Sequence, residues 1–234
     1  MNFLSKLFTF SVLSIFFVGF SIAQDVTGLV QKVKAKIDIV NDYVAEGKMK
    51  TDVAFIKAPV GKIKVFFKKP DLFKIKREGG ISILPKGGVT LNLNNLITTN
   101  EFVALFAGET MMGQKKIKVI KLIPTNEKSE VILSTLYINE EDLLIMKAAT
   151  TTKENGSFEM EFTYGKFAQY SLPDKVVFSF NTKDYKIPKG VTLEFDETVK
   201  KTEAEILKAR KGRVELQYTN YQINTGLTDA VFKK

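Results

Sequence analysis

The sequence of 234 residues contains no cysteine, no histidine and no tryptophan. Without cysteine the chain can form no disulfide and offers no N-terminal thiol for lipid attachment, so its stability must come from burial alone. Without histidine or cysteine it lacks the common nucleophile–base pairs, thiol chemistry and the usual zinc sites. These absences exclude most familiar enzyme classes and leave carboxylate chemistry of the kind that glycosidases use.

The densest acidic cluster is formed by Glu140, Glu141 and Asp142. Together with Asn139 it lies between two apolar segments, and a polar cluster in that position is typical of a turn. We therefore predict a protein that is not an enzyme, with no catalytic residue, no metal site and no cofactor.

Residues 1–23 have the three parts of a secretory signal peptide. Lys6 gives a basic start, residues 7–20 form an apolar run, and Ser21 and Ala23 supply the small residues that a signal peptidase needs. The alternative is an uncleaved membrane anchor, but the run is shorter than the roughly 20 residues that a bilayer span needs. We expect cleavage after Ala23 and an exported product.

The rest of the chain is long enough for one domain and is rich in predicted strands. Apolar residues at steps of three and four predict an amphipathic helix over residues 25–45, which Gly47 would end. Closely spaced alternating segments then predict an antiparallel meander. Its strands are expected over residues 48–57, 61–68, 72–77, 115–122, 131–138, 143–151, 158–164 and 175–180. A helix over 203–211 and a strand around 214–218 are expected to follow.

The stretch over residues 61–76 has the clearest alternation in the chain. Ile63, Val65 and Phe67 share one phase of an extended chain, and lysines occupy the other phase. Lys69 falls on the apolar phase, directly before Pro70, which has no N–H to donate to a strand partner. The pattern predicts a hairpin that is apolar on one side and carries one lysine there.

The segment over residues 92–113 is too long and too apolar for an ordinary hairpin loop. Asn100 can cap the N-terminus of a short helix that follows it in the chain. Such an insert could cover or plug an opening, or it could be a core helix packed permanently over the sheet, and both interpretations stay open.

Large apolar side chains recur in the later strands, with Phe158, Met160 and Phe162 on one face of a strand and Phe178 and Phe180 on one face of another. They could line a wide cavity, or they could fill a barrel or sandwich core with no volume left over.

Several motifs follow one another in a recognisable order. They are G-x-I-x-V-x-x-K-K-P-D-L-F-x-I over 61–75, L-x-P over 122–124, L-Y-I-N-x-E-D over 136–142, G-S-F over 156–158, and F-S-F over 178–180 followed by I-P-K-G-V-T-L over 187–193. Behind a signal peptide and a helix, this order resembles the periplasmic outer-membrane lipoprotein carrier family, LolA, and its relatives. The resemblance covers roughly residues 25–196, and its sharpest elements are K-K-P-D-L-F and P-K-G-V-T-L.

This resemblance implies an α+β, mostly β fold: an incomplete, curved antiparallel β-barrel with an N-terminal helix and a helical lid over an apolar cavity. Residues 24–196 would form it, and residues 197–234 would add a helix and a strand to the same domain. In the family an arginine precedes the proline of the r-P-x-x-F motif and holds the lid. Lys69 stands at that position and is the candidate latch. The expected cavity lining is Ile63, Val65, Phe67, Phe73, Ile75, Leu105, Phe106, Met111, Met112, Phe158, Met160, Phe162, Phe178 and Phe180.

The function implied by the resemblance is a periplasmic carrier that shelters the acyl chains of a lipoprotein or another lipid on the way to the outer membrane. Its partners would be an inner-membrane release complex and an outer-membrane acceptor, with transient contact to a membrane surface, and the protein would be a monomer. One alternative is a regulatory module of the same fold that senses envelope lipids through a protein partner. Another is a structural protein with a full core, in which Phe67, Phe73, Phe106, Phe162 and Phe178 touch one another instead of lining a void.

The formal net charge is +9. The lysines could favour an anionic membrane surface or an acidic partner, but they are spread along the chain, so a lysine-rich composition without function is the preferred interpretation. Nucleic acid is not expected as a partner, because basic runs with interleaved exposed aromatics are absent.

Overall fold

The computed structural model describes residues 26–52, 60–78, 97, 101–154, 156–181 and 211–233. Helix α1 covers Val26–Ile37. The strands are β1 (Asp42–Asp52), β2 (Gly61–Lys68), β3 (Leu72–Arg77), β4 (Phe102–Met112), β5 (Lys115–Pro124), β6 (Val131–Asn139), β7 (Leu144–Thr152), β8 (Gly156–Thr163), β9 (Lys175–Asn181) and β10 (Lys211–Ile223). No helix in these ranges is both long and apolar enough to cross a membrane.

The strands form one antiparallel sheet in the order β3-β2-β1-β10-β9-β8-β7-β6-β5-β4. Strands β4 to β9 follow the chain as an antiparallel meander. The connections from β4 to β8 are short, which favours antiparallel neighbours, and a longer connection with one 3-10 turn (Ala168–Tyr170) leads to β9. Strand β10 then enters between β9 and β1 and joins the meander to the N-terminal strands. Since β3 and β4 lie at opposite edges, the sheet is an incomplete β-barrel, as predicted.

Each strand presents alternate side chains to opposite faces, and one face forms the core. We call it the core face and the opposite one the outer face. In β2, for example, Ile63, Val65 and Phe67 are buried on the core face, and Lys62 and Lys64 are exposed on the outer face. Strand side chains buried in this core are Tyr43, Ala45, Met49, Ile63, Val65, Phe67, Ile120, Leu122, Leu136, Ile138, Ile145, Ala148, Phe158, Met160, Phe162, Val176, Phe178, Phe180, Val214, Leu216 and Tyr221.

Helix α1 packs against the core face. Its buried stripe of Leu29, Val30, Val33 and Ile37 belongs to the same hydrophobic cluster as the strand side chains, which is the expected position for the apolar face of an amphipathic helix. The predicted N-terminal helix is therefore confirmed, but its predicted end is wrong. The helix ends at Ile37, and the next residues turn into a strand that starts at Asp42.

The mistake arose because Val40 and Val44 continue the helical spacing of apolar residues, although the side chains from Asp42 onwards alternate between the two faces. Gly47 does not end a helix either. It lies at a bulge between β1 and β10, where a Cβ atom would collide with the carbonyl oxygen of Gln217. Glycine is required there by close backbone approach.

The predicted helix in the segment 92–113 is wrong for its second half. Residues Phe102–Met112 form strand β4, which pairs with β5 along most of its length. Ahead of β4 the structure describes Ile97 and Glu101 of this segment, and Ile97 has helical backbone and a buried side chain. The signal peptide, the motif over 187–193 and most of the helix predicted over 203–211 lie outside the described residues.

Candidate functional site

The core face brings together ten of the residues predicted to line a cavity. Ile63, Val65, Phe67, Phe158, Met160, Phe162, Phe178 and Phe180 are all buried there, and Phe73 and Ile75 pack against them from β3. The register explains their convergence, since Met160 stands opposite Phe178 and Phe178 opposite Val214 across three adjacent strands. A continuous apolar surface therefore runs across the sheet beneath α1.

Aromatic rings in this surface contact one another. The ring of Phe178 lies with its centroid 5.4 Å from that of Phe158 and 5.3 Å from that of Phe180. A second aromatic group surrounds Tyr221, whose ring lies 5.4 Å from Tyr43 and 5.0 Å from Phe167. In this part of the core the rings contact one another. This arrangement is expected of a purely structural core, and it is also expected of a cavity that has closed in the absence of a ligand.

Two tyrosines, Tyr221, which is buried, and Tyr164, which is partly buried, place hydroxyl groups at this apolar surface. Tyr221 donates a hydrogen bond of 2.7 Å to the carbonyl oxygen of Pro173, and Tyr164 donates one of 2.8 Å to that of Ile145. Burial raises the pKa of both phenols above the ordinary value. These two hydroxyls therefore stay neutral at physiological pH.

The remaining candidates lie on β4 at the edge of the sheet. Leu105, Phe106 and Met111 are 46%, 47% and 60% exposed, respectively, and Met112 is partly exposed. Their placement on a predicted helix was wrong, because this segment completes the sheet as a strand. Phe106 alone of the four is shown beside the core face, where it lines a small pocket of about 150 Å³ with Leu29 and Ile120.

Lys69 follows β2 and extends towards the end of α1. Its ammonium group donates a hydrogen bond to the carbonyl oxygen of Asp38 and lies 3.3 Å from the Asp38 carboxylate. Its backbone N–H donates a bond of 2.8 Å to the carbonyl oxygen of Asn41. A cation at the C-terminal end of a helix is favourable because the helix dipole is negative there. Among the described residues, Lys69 therefore joins the sheet to α1.

Asp38 lies between two lysines at this junction. Burial on its own would raise the pKa of the carboxyl, but the ion pairs with Lys34, at 2.6 Å, and with Lys69 outweigh it and lower the pKa below the ordinary value. The carboxylate consequently stays charged at neutral pH and holds both ammonium groups.

A second junction holds the other side of α1 to the sheet. Lys36 donates a bond of 2.6 Å to the carbonyl oxygen of Asp142, in the turn between β6 and β7. The carboxylate of Asp142 accepts bonds of 2.6 Å from Lys115 and 2.7 Å from the amide of Asn139. The acidic cluster over residues 140–142 is thus a turn, as predicted. No group of acidic residues that could hold a metal ion occurs in the described ranges.

The C-terminal residues 224–233 cross the outside of β2 and β3, and we call them the C-terminal strap. Asp42 anchors the start of the strap by accepting bonds from the N–H groups of Thr225 and Gly226, at 2.8 and 3.1 Å. Lys68 pairs with Asp229 at 2.7 Å, and Lys74 donates to the carbonyl oxygens of Val231 and Lys233. The predicted extension therefore supplies both a central strand and this strap.

Several core-face residues were not predicted as candidates. Tyr43, Met49, Val214, Leu216 and Tyr221 line the same surface as the predicted set. Alternation over residues 42–52 is a signal that could have identified Tyr43 and Met49, but the helical spacing of valines concealed it. For β10 the local pattern predicts a strand around residues 214–218, but its place between β1 and β9 depends on long-range pairing.

The comparisons with known proteins concern the fold. No family model matches the sequence, and no curated protein does so either. A DUF1329 family protein from Desulfovibrio piger is similar in structure, with 12% sequence identity, a TM-score of 0.52, and coverage of 89% of this chain and 97% of that one.

Two further solved structures are similar over most of their length. A putative outer membrane lipoprotein-sorting protein domain from Vibrio parahaemolyticus has 13% identity and a TM-score of 0.50, covering 88% of this chain and 95% of that one. The LolA superfamily protein NE2245 from Nitrosomonas europaea has 10% identity and a TM-score of 0.51, covering 88% and 97%. The chain therefore has a LolA-like fold, as its motifs predicted.

Proposed function

We propose that the protein is a periplasmic carrier that shelters the acyl chains of a lipoprotein or another lipid and performs no catalysis. The observation that supports this most is the continuous apolar core face of an open sheet, covered by α1. An unclosed sheet can separate from its covering helix without breaking strand pairs. The fold shared with a lipoprotein-sorting domain adds support.

The energetics require two states. Burying a hydrocarbon chain contributes about 0.8 kcal/mol per methylene, so one chain of about sixteen carbons approaches ~12 kcal/mol before ordering costs. A ligand held so tightly would leave too slowly for a carrier. In the closed empty state α1 occupies the core face, and its return to that position offsets part of the binding energy.

The closing element is therefore α1 in this proposal, in place of the insert expected from sequence. Lys69 and Asp142 hold its two sides by few polar contacts, which an entering chain can separate at modest cost. The empty carrier would accept its cargo from an inner-membrane release complex, and the loaded carrier would deliver it to an outer-membrane acceptor.

The test is native mass spectrometry of protein purified from the periplasm, followed by lipid extraction. We expect an acylated ligand to be bound, or to bind when it is added to stripped protein in detergent. Failure of both would contradict the carrier function.

Lys69→Leu and Lys69→Arg test the latch in the same assay. Lys69→Leu removes the bond to the Asp38 carbonyl oxygen and should increase both the rate of ligand exchange and the proteolysis of α1. Lys69→Arg keeps the positive charge, so both rates should stay close to those of the wild type. Identical behaviour of the wild type and Lys69→Leu would show that Lys69 is no latch.

A further inference from the structure

The outer face of β1, β2 and β3 gathers lysines that are distant in sequence. Lys48 on β1 stands directly opposite Lys62 on β2, and Lys64 on β2 stands directly opposite Lys76 on β3. All four side chains are exposed. We call this group of four the lysine face.

Like charges directly opposite each other on adjacent strands destabilise a sheet. Two such pairs occur here side by side. Lys64 is compensated by an ion pair of 2.9 Å with Glu46, and Lys76 lies 5.4 Å above the ring of Phe66. For Lys48 and Lys62 the described residues provide no ion pair. The sheet therefore holds a repulsion that a bound anion would relieve.

The surroundings of the lysine face are predominantly basic. A cleft of about 690 Å³ opens among these strands, and its lining includes the four lysines and Arg77 against the carboxylates of Glu46 and Glu78. Farther along the face, Lys50 stands opposite Glu215. At the strand end nearest the cleft, Val60 is 60% exposed.

We propose that the lysine face docks the protein onto the anionic phospholipid headgroups of a bilayer surface. Lysine is a compact, flexible point charge, whereas geometric recognition of a single phosphate or carboxylate favours the planar fork of arginine. Four exposed lysines on one sheet face can pair with the laterally mobile phosphates of lipid headgroups. The exposed side chain of Val60 can contact the boundary between the headgroups and the acyl chains. The proposal stands apart from cargo binding, because these side chains point away from the core face.

Docking by charge has a defined strength. Each lysine close to an anionic membrane contributes an attraction of about 1 kcal/mol, which is roughly a fivefold change in partitioning. Removing two of the four should therefore lower vesicle binding by at least about tenfold. Salt should weaken binding in the wild type, because the screening length falls from about 10 Å at 0.1 M to about 3 Å at 1 M.

The experiment is sedimentation of the full chain with vesicles of phosphatidylethanolamine and phosphatidylglycerol, and with vesicles of phosphatidylcholine alone. We expect binding to the anionic vesicles only. The double variant Lys48→Gln/Lys62→Gln should lose at least about tenfold in binding. A matched control, Lys128→Gln/Lys166→Gln, has the same net charge and alters two exposed lysines elsewhere, so its binding should remain close to that of the wild type.

Equal loss in both double variants would attribute binding to net charge and overturn the proposal, as would no binding by the wild type. Inhibition by millimolar glycerol 3-phosphate would indicate a discrete phosphate site and would also overturn bilayer docking. Thermal unfolding confirms that the variants fold. Retention of acyl ligand, measured in parallel, should be unchanged in Lys48→Gln/Lys62→Gln, which separates failure of docking from failure of the carrier function.

Discussion

The two faces of β1, β2 and β3 are built from the same three strands but differ in what holds them. On the core face, Val65 and Phe67 are buried in a cluster that extends over the whole sheet and includes α1. On the outer face, lysines meet lysines across strands, and the C-terminal strap covers only the end near Lys68 and Lys74. Most of the apolar burial lies on the core face, and the part of the outer face beyond the strap is left available for charge recognition.

The largest effect is expected from the core face. Phe178 is fully buried and touches two other rings, so Phe178→Ala should lower the free energy of unfolding by about 3–5 kcal/mol. Leu105→Ala is the matched control on an exposed edge strand and should change it by no more than about 0.5 kcal/mol. Denaturant unfolding measures both. Similar losses would mean that the core face is not the main source of stability.

The next effect concerns the strap. Asp42 is buried and accepts three hydrogen bonds from Thr225 and Gly226. Asp42→Ala leaves those donors without their partner and should cost about 1–3 kcal/mol. It should also make residues 224–233 sensitive to proteases. Asp71→Ala, at an exposed position in the turn before β3, is the control and should change neither. An unaltered cleavage pattern in Asp42→Ala would show that this anchor does not hold the strap.

Acid should loosen the junction between α1 and the sheet. The ion pairs with Lys34 and Lys69 lower the pKa of Asp38 in the folded state, despite the opposing effect of burial. A lowered folded pKa contributes stability above the unfolded value, about 3.9, and this contribution is lost as pH falls through the folded pKa. Wild type should lose stability below about pH 4 more steeply than Asp38→Asn. Parallel curves of melting temperature against pH would contradict this.

The smallest effect has the opposite sign. Because Lys62 stands opposite Lys48, Lys62→Gln should stabilise the protein by about 0.2–1 kcal/mol. Lys121→Gln, on the exposed surface of β5, should change stability by no more than about 0.5 kcal/mol in either direction. Chemical denaturation in low salt measures the difference, and added salt should reduce it. A loss of stability in Lys62→Gln would mean that Lys62 has a favourable role in the fold.

The contrast between the faces could be predicted in part. Alternation over residues 61–68 placed Phe67 on the apolar phase and the neighbouring lysines on the other, because a strand has a period of two. The gathering of Lys48, Lys62, Lys64 and Lys76 could not be predicted, because it depends on which strands pair and in which register. Counted along the chain, these lysines look dispersed.

The same reason explains the other errors. Valines at helical spacing extend the predicted helix past Ile37. In the structure residues 42–52 form a strand instead, because they pair with β2 and β10. Residues 102–112 are apolar enough for a buried helix, and only their pairing with β5 defines them as an edge strand. Lys69 was predicted to hold a lid formed by the insert, and the partner that the described residues give it is Asp38 at the end of α1.

The carrier function depends on acyl chains entering the core face, and the methionines allow this to be observed directly. Met49 and Met160 are buried there, whereas Met111 is 60% exposed on β4. Methyl spectra of ¹³C-methionine protein, stripped of lipid and titrated with a phospholipid, should show shifts and contacts to chain methylenes at Met49 and Met160, and none at Met111. Unchanged Met49 and Met160 signals at saturating lipid would contradict the proposal that the core face holds the cargo.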